Sequence, residues 1–335
     1  MKAKRPTKTQ RLSSTTINTL PQTIIENILC LLPIEEAAQT SILSREWRYK
    51  WTTIPKLEFG SSSVLEIRTQ ENQTSHVERA RKIMERRRKL FNAIPRVLLM
   101  HQGPIHEFSI DSIANCDCFE LDPIIFHLSR NHAVKKLKLA FDYMYPHKLP
   151  LCAFSLHHLR DLDLSYVDID HQPIFSGFGS LRSLSLIKVK ISTKALLHLL
   201  SNCPSLKRFT LLGSICDKDC TIIELFDCLH VIEDLTIYGD TPELIDEGIG
   251  NDNETWFGIL EENSDVRLEH LKELEIHRFS NLRREMELVT VILARSPKLK
   301  KVIIHSLVEK DEESDMLKIL LQASRASPVE IVVID

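Results

Sequence analysis

The chain predicts an α/β architecture, with a short all-helical N-terminal module followed by a repeat solenoid whose parallel strands line a concave face. Three observations carry this. Residues 17–51 hold two short apolar helical runs separated by a proline. A doublet of apolar residues flanking a single intervening position recurs between Phe108 and Ile304. Helix-like runs such as KALLHLLSNCPSLK (194–207) and EMELVTVILARSPKLK (285–300) lie between doublets. Repeated strand-and-return units of this kind stack, because no single unit closes its own core.

The first module is read from spacing. Pro21 suits a first helical turn, where its missing N–H costs nothing. Ile24, Ile25, Ile28, Leu29 and Leu32 follow at helical intervals. Pro33 stops that helix and biases Leu32 toward extended backbone. A second helix is expected from Ile34, its first turn favoured by Glu35 and Glu36, carrying Ala37, Ala38, Ile42 and Leu43 inward. Ser44 then caps an expected third helix, on which Trp47 and Trp51 share a face at i, i+4. So short and apolar a segment buries its own surface poorly, which marks it as a docking module that shares its core with something else.

The strings LPQTIIENILCLLPIEEA and TSILSREWRYKW resemble the F-box family, and more narrowly the plant F-box proteins that carry leucine-rich repeats and a C-terminal FBD region. The resemblance implies docking onto a Skp-type adaptor, and through it a cullin. The adaptor contacts it implies are Leu20, Pro21, Ile24, Ile28, Leu29, Leu32 and Pro33. Ile42, Leu43, Trp47 and Trp51 match later hydrophobic positions of the family and complete the implied adaptor contacts, although some of these positions pack internally.

The repeat doublets are Phe108/Ile110, Leu137/Leu139, Leu162/Leu164, Leu184/Leu186, Phe209/Leu211, Leu235/Ile237, Leu274/Ile276 and Val302/Ile304. Their steps of 29, 25, 22, 25, 26, 39 and 28 residues cluster near the leucine-rich-repeat period, and the long one spans the polar insertion DTPELIDEGIGNDNET. The cleanest units, LRDLDLSYVDI (159–169) and LRSLSLIKVKI (181–191), read L-x-x-L-x-L-x-x-V-x-I. From about Leu268 the chain resembles the FBD region and ends in an expected strand, Val329 to Ile334. The expected organisation is a disordered basic tail (1–16), an F-box (17–58), a leucine-rich-repeat solenoid (59–265) and FBD-like C-terminal repeats with a cap (266–335).

Strand alternation selects a recognition surface. If the doublets point inward, Lys136, Lys138, Asp161, Asp163, Ser183, Ser185, Arg208, Thr210, Asp234, Thr236, Tyr238, Glu273, Glu275, His277, Lys301, Ile303 and His305 face outward. The candidate target contacts among them are Lys138, Asp161, Asp163, Ser185, Arg208, Thr210, Asp234, Tyr238, Glu273, Glu275 and His277. Their mixed signs suit a protein target, with charge setting register. A duplex-binding face would be uniformly basic.

Enzymatic readings find no support. No P-loop, G-x-S-x-G turn or His-Glu-x-x-His occurs, and only 9 glycines are present. Cys116, Cys118, Cys216, Cys220, Cys228 and His230 fit no closed zinc spacing, so neither a metal nor another cofactor is expected. The run ERARKIMERRRKL (78–90) predicts an amphipathic helix with a solvated basic face and no aromatic set for base stacking. The net charge of −3 gives no global pull toward nucleic acid or anionic membrane. No apolar run approaches ~20 residues and the N-terminus lacks a secretory core. A soluble protein of the nucleus and/or cytoplasm is therefore expected. The resemblance implies a non-catalytic substrate-recognition subunit of a Skp–cullin–F-box ubiquitin ligase. The alternatives are an F-box interaction scaffold and a small-molecule receptor.

Overall fold

The computed structural model describes residues 17–60, 76–113, 121–141, 147–169, 178–212, 222–239, 267–307 and 310–334. The expected basic tail (1–16) and most of the polar insertion lie outside these residues.

Helix α1 (Gln22–Leu29) starts just after Pro21, which is its N-cap at φ −54° and ψ 145°. Pro33 serves α2 (Ile34–Gln39) in the same way, with Glu35 and Glu36 in the first turn. A 3-10 turn at Thr40–Ile42 continues the chain, and a second, Lys50–Thr53, replaces the expected third helix. Trp47 and Trp51 are nevertheless both buried, delivered to one core by turns rather than by a helix face. The Ser44 hydroxyl, expected to cap, is buried with no hydrogen-bond partner.

The module is also not all-helical. Its last residues form β1 (Lys56–Phe59), in which Leu57 and Phe59 are buried and Lys56 and Glu58 half-buried. β1 pairs in parallel with β2 (Glu107–Ile113), reached through helix α3 (His76–Met100). Period-two burial makes Leu57 and Phe59 the first apolar doublet of the array, and the Phe59 and Phe108 rings lie 5.6 Å apart.

The remaining elements alternate: α4 (Leu121–Asn131), β3 (Lys136–Phe141), β4 (His147–Lys148), β5 (Asp161–Ser165), β6 (Val167–Ile169), β7 (Ser183–Ile187), β8 (Lys190–Ile191), α5 (Thr193–Ser201), β9 (Arg208–Leu212), α6 (Ile222–Cys228), β10 (Asp234–Tyr238), β11 (Glu273–Phe279), α7 (Arg283–Arg295), β12 (Lys301–Ser306), α8 (Lys310–Gln322) and β13 (Glu330–Ile334). Among the described residues, ten strands form one parallel sheet in the order β1-β2-β3-β5-β7-β9-β10-β11-β12-β13. The first doublet members stand opposite one another across it, from Leu57 through Phe108, Leu137, Leu162, Leu184, Phe209, Leu235, Leu274 and Val302 to Ile331. The V-x-I tails of the two cleanest repeats form most of a second, three-stranded sheet, β4-β6-β8. Tyr166 and Lys188 turn the chain into β6 and β8 from left-handed backbone, at φ 54° and 51°.

A column of backbone hydrogen bonds runs across the sheet just before each strand. Lys135 donates to His106, Arg160 to Lys135, Arg182 to Arg160, Lys207 to Arg182, Glu233 to Lys207, Lys272 to Glu233, Lys300 to Lys272 and Glu330 to Lys300. These bonds satisfy the backbone groups that lead into each strand and hold neighbouring repeats in register.

One apolar core runs from Ile25 in α1 to Leu320 in α8, so the helical module shares the core of the array. The junction is tied by backbone, with Gln102 N donating to Thr52 O and His106 N to Pro55 O, both at 2.8 Å. Gly103 makes that closeness possible, since a Cβ there would sit 2.7 Å from Thr53 O. Gly103→Ala is expected to lower stability by about 1–3 kcal/mol, read as a fall in urea midpoint at unchanged m-value.

Two candidate interaction surfaces

The helical module divides its apolar residues between two faces. Ile25, Leu29, Ile34, Ala37, Trp47 and Trp51 are buried toward the sheet. Ile24 and Ile28 lie on the opposite side of α1, and Leu31, Ile42 and Leu43 follow on turns, exposed at 82%, 87% and 66%. Pro21 is exposed, while Leu20, Leu32 and Pro33 are half-buried. Three of the expected adaptor contacts are thereby corrected. Leu29, Trp47 and Trp51 point inward, because α1 has only one face for the core and the tryptophans fill the space behind it. Ile42 and Leu43, expected to point inward, face solvent because the chain leaves the helix at Thr40. Leu31 was not among the expected contacts, although the run Cys30-Leu31-Leu32 places it past the helix end, where the periodicity breaks. Thr53 Oγ1 donates to Glu26 Oε1 at 2.7 Å, which fixes α1 against the second 3-10 turn and presents the exposed residues on a rigid base.

The second surface is the open face of the ten-stranded sheet. Lys138, Asp161, Asp163, Ser185, Thr210, Asp234, Tyr238, Glu273, Glu275 and His277 are half-buried there and Arg208 is exposed, in the alternation their strands dictate. Ser183, Thr236, Lys301, Ile303 and His305 are half-buried likewise, and Lys136 is exposed. A cleft of about 380 Å³ lies over β1 to β7, lined by charged and polar side chains including Lys56, Glu58, Lys138 and Asp163. Ion pairs cross it between strands. Lys136 meets Glu107 at 3.2 Å, Lys138 meets Asp111 at 3.0 Å, and Arg208 reaches over β7 to Asp161 at 3.2 Å. Such pairs contribute little stability at exposed sites, so their weight lies in the charge pattern they present. Burial raises the Asp163 carboxyl above its ordinary range, with Lys138 and Ser185 pulling it partly back.

A feature missed in the sequence borders this face. Between its end residues His106 and Glu330, the backbone column consists of Lys135, Arg160, Arg182, Lys207, Glu233, Lys272 and Lys300. They make a basic edge broken only by Glu233, whose carboxyl Lys207 and Lys272 hold down at about 2. The signal was present two residues ahead of each doublet from Leu137 to Val302.

Other expected features are less informative. In α3, Arg81, Arg88 and Lys89 are exposed and Lys89 pairs with Glu85 at 3.0 Å, as a solvated face would. Cys116, Cys118, Cys216 and Cys220 lie outside the described residues. Cys228 is half-buried, and the His230 ring bonds to the Asp227 carbonyl. Burial pushes the Cys203 thiol up to about 11, which makes it an inert core residue. No helix among the described residues is long and apolar enough to cross a membrane.

Comparison with known proteins adds three matches in chain order. Residues 17–59 match the F-box domain model, residues 124–236 the LRR-repeat model of FBD-associated F-box protein At5g56370, and residues 267–304 the FBD model. Among relatives, the chain is 35% identical over 195 residues to F-box/FBD/LRR-repeat protein At1g13570 of Arabidopsis thaliana, covering 58% of this chain and 43% of that protein. It is 25% identical over 196 residues to F-box/FBD/LRR-repeat protein At5g56420 of the same plant, covering 57% and 42%. It is 28% identical over 255 residues to putative F-box protein At1g58310, also of that plant, covering 68% and 49%. The chain thus spans less than half the length of the relatives it matches.

Proposed function

From a chain that carries an F-box, leucine-rich repeats and an FBD segment in that order, we propose a substrate-recognition subunit of a Skp–cullin–F-box ubiquitin ligase. The F-box docks a Skp-type adaptor, which links the chain to a cullin. The array acts as a solenoid whose sheet is concave and receives a target protein, and the chain itself makes or breaks no bond. Its contribution is to raise the local concentration of target near a charged ubiquitin-conjugating enzyme.

The observation that carries this reading is the exposed row Ile24, Ile28, Leu31, Ile42 and Leu43 on a module whose other face is already in the core. Several large apolar side chains left exposed on one small module mark an interaction site. Proline-started α1 holds Ile24 and Ile28 in place, so docking of that pair costs little ordering entropy. The target side is supported by the mixed charges of the open face and its basic edge, which would steer a protein with an acidic border.

Affinity purification with and without proteasome inhibition tests the proposal. A Skp-type adaptor and a cullin should co-purify in both conditions, and proteins enriched only under inhibition are the targets. Recovery of target-like partners whose half-lives ignore the presence of this chain would favour a scaffold instead. Deleting residues 1–58 is a poor substitute for point variants, because it cuts β1 within Lys56–Phe59 and uncovers the edge of β2.

A further inference from the structure

The open face carries a side-chain cluster that adaptor docking does not use. Adjacent strands β10, β11 and β12 bring together Tyr238, Glu275, His277 and His305. Glu275 and His277 are two residues apart on β11, so the pleat sends both to the same side. His305 stands beside them on β12. One carboxylate oxygen, Glu275 Oε1, lies 3.1 Å from His277 Nε2 and 3.0 Å from His305 Nε2. The three donor atoms all fall within 4.8 Å of one another. The two imidazoles stack with centroids 4.1 Å apart and planes 5° from parallel, and Tyr238 stacks on the other side of His277 at 4.4 Å.

We propose that Glu275, His277 and His305 form a binding site for a divalent transition metal of the zinc class. Two imidazoles and one carboxylate make a donor set that zinc accepts, whereas magnesium and calcium favour oxygen alone. The spacing is close to what coordination needs. Bonds of about 2.1 Å at a tetrahedral angle set neighbouring donors about 3.4 Å apart, against 3.0 and 3.1 Å here. The parallel rings must each rotate about χ2 for their Nε2 lone pairs to converge, and that torsion has a broad, shallow profile in histidine. Each imidazole then carries its proton on Nδ1 rather than Nε2, so the change is one of tautomer. Side-chain exposures of 26% for His277, 32% for His305 and 35% for Glu275 leave the donors reachable yet held by their strands. Three protein ligands leave a fourth position for water or for a donor side chain of a bound target. The site stands on strand geometry alone and does not depend on ligase assembly.

Cobalt(II) titration of the full chain, followed by visible absorption and by zinc(II) competition, tests the site. One cobalt per chain, displaced by zinc, is expected. His277→Ala and His305→Ala should each weaken binding by about tenfold or more, and Glu275→Gln should weaken it as well. His270→Ala, at an exposed histidine outside the cluster, should leave it unchanged. Zinc should also raise the melting temperature of the wild-type chain, and not of the His277 and His305 variants. If circular dichroism shows His277→Ala misfolded, His305→Gln on the neighbouring strand takes its place. Equal affinity in the wild-type chain and the folded His305 variants would overturn the proposal, as would loss of binding with His270→Ala alone.

Discussion

Replacing Ile28 with glutamate is expected to abolish co-precipitation of a Skp-type adaptor while leaving the array folded. Ile28 lies on the outer face of α1, 36% exposed, so in the free chain a glutamate there keeps its carboxylate in water. In a complex that covers this face, the same carboxylate is buried without a partner, at a cost of several kcal/mol. A loss of that size removes binding at ordinary concentrations, since about 1.4 kcal/mol is already tenfold. Leu31→Glu and Ile42→Glu should behave alike, because both side chains are almost wholly exposed. Leu29→Glu, one residue from Ile28, should instead unfold the module, because Leu29 is only 1% exposed. Circular dichroism separates the two outcomes, and undiminished adaptor capture by folded Ile28→Glu would sink the docking assignment.

Leu162→Asp and Leu184→Asp should each unfold or aggregate the array. Both leucines are buried between neighbouring repeats, opposite each other in the β5–β7 register. An unpaired carboxylate there, with the lost leucine packing, is expected to cost about 4 kcal/mol or more, a large part of a typical margin of about 5–15 kcal/mol. Asp163→Ala and Ser185→Ala, one position along, should change the melting temperature little. Asp163 also gives a sign in pH. Its carboxyl titrates above the ordinary range in the folded state, so the protonated form is favoured by folding and stability falls as pH rises through that raised value. At neutral pH the ionised Asp163 is therefore a burden, and Asp163→Ala should be neutral or slightly stabilising. Equal melting shifts for the leucine and aspartate variants would show the inward and outward assignment to be wrong.

Much of the sheet was legible because a strand half-buried on one face writes period two into its residues. All eight doublets from Phe108 to Val302 stand in register, and the expected final strand appears as Glu330–Ile334. β1 was missed because Leu57 and Phe59 follow a helical module and stand far from the next doublet. The V-x-I tails were visible, but strands as short as Lys190–Ile191 leave no periodicity to read. Trp47 and Trp51 have helical spacing without a helix, since i, i+4 also fits a chain of tight turns that returns to one core. In the F-box the apolar string was plain, yet string alone does not separate Ile28 from Leu29. That division depends on which side of α1 the sheet occupies. Glu275, His277 and His305 stood in the list of outward residues, but only strand pairing brings their donors within reach of one another.

The step between the doublets at Leu235 and Leu274 is the longest in the array, yet β10 and β11 pair in full register from Asp234↔Glu273 to Tyr238↔His277. The cost of closing a loop grows only slowly with its length, so the ladder is indifferent to how much chain passes between two rungs. The stretch 240–266 between them is therefore a natural splice point, where evolution or an engineer could lodge a new binding loop, or a whole small domain, without rewriting the scaffold on either side.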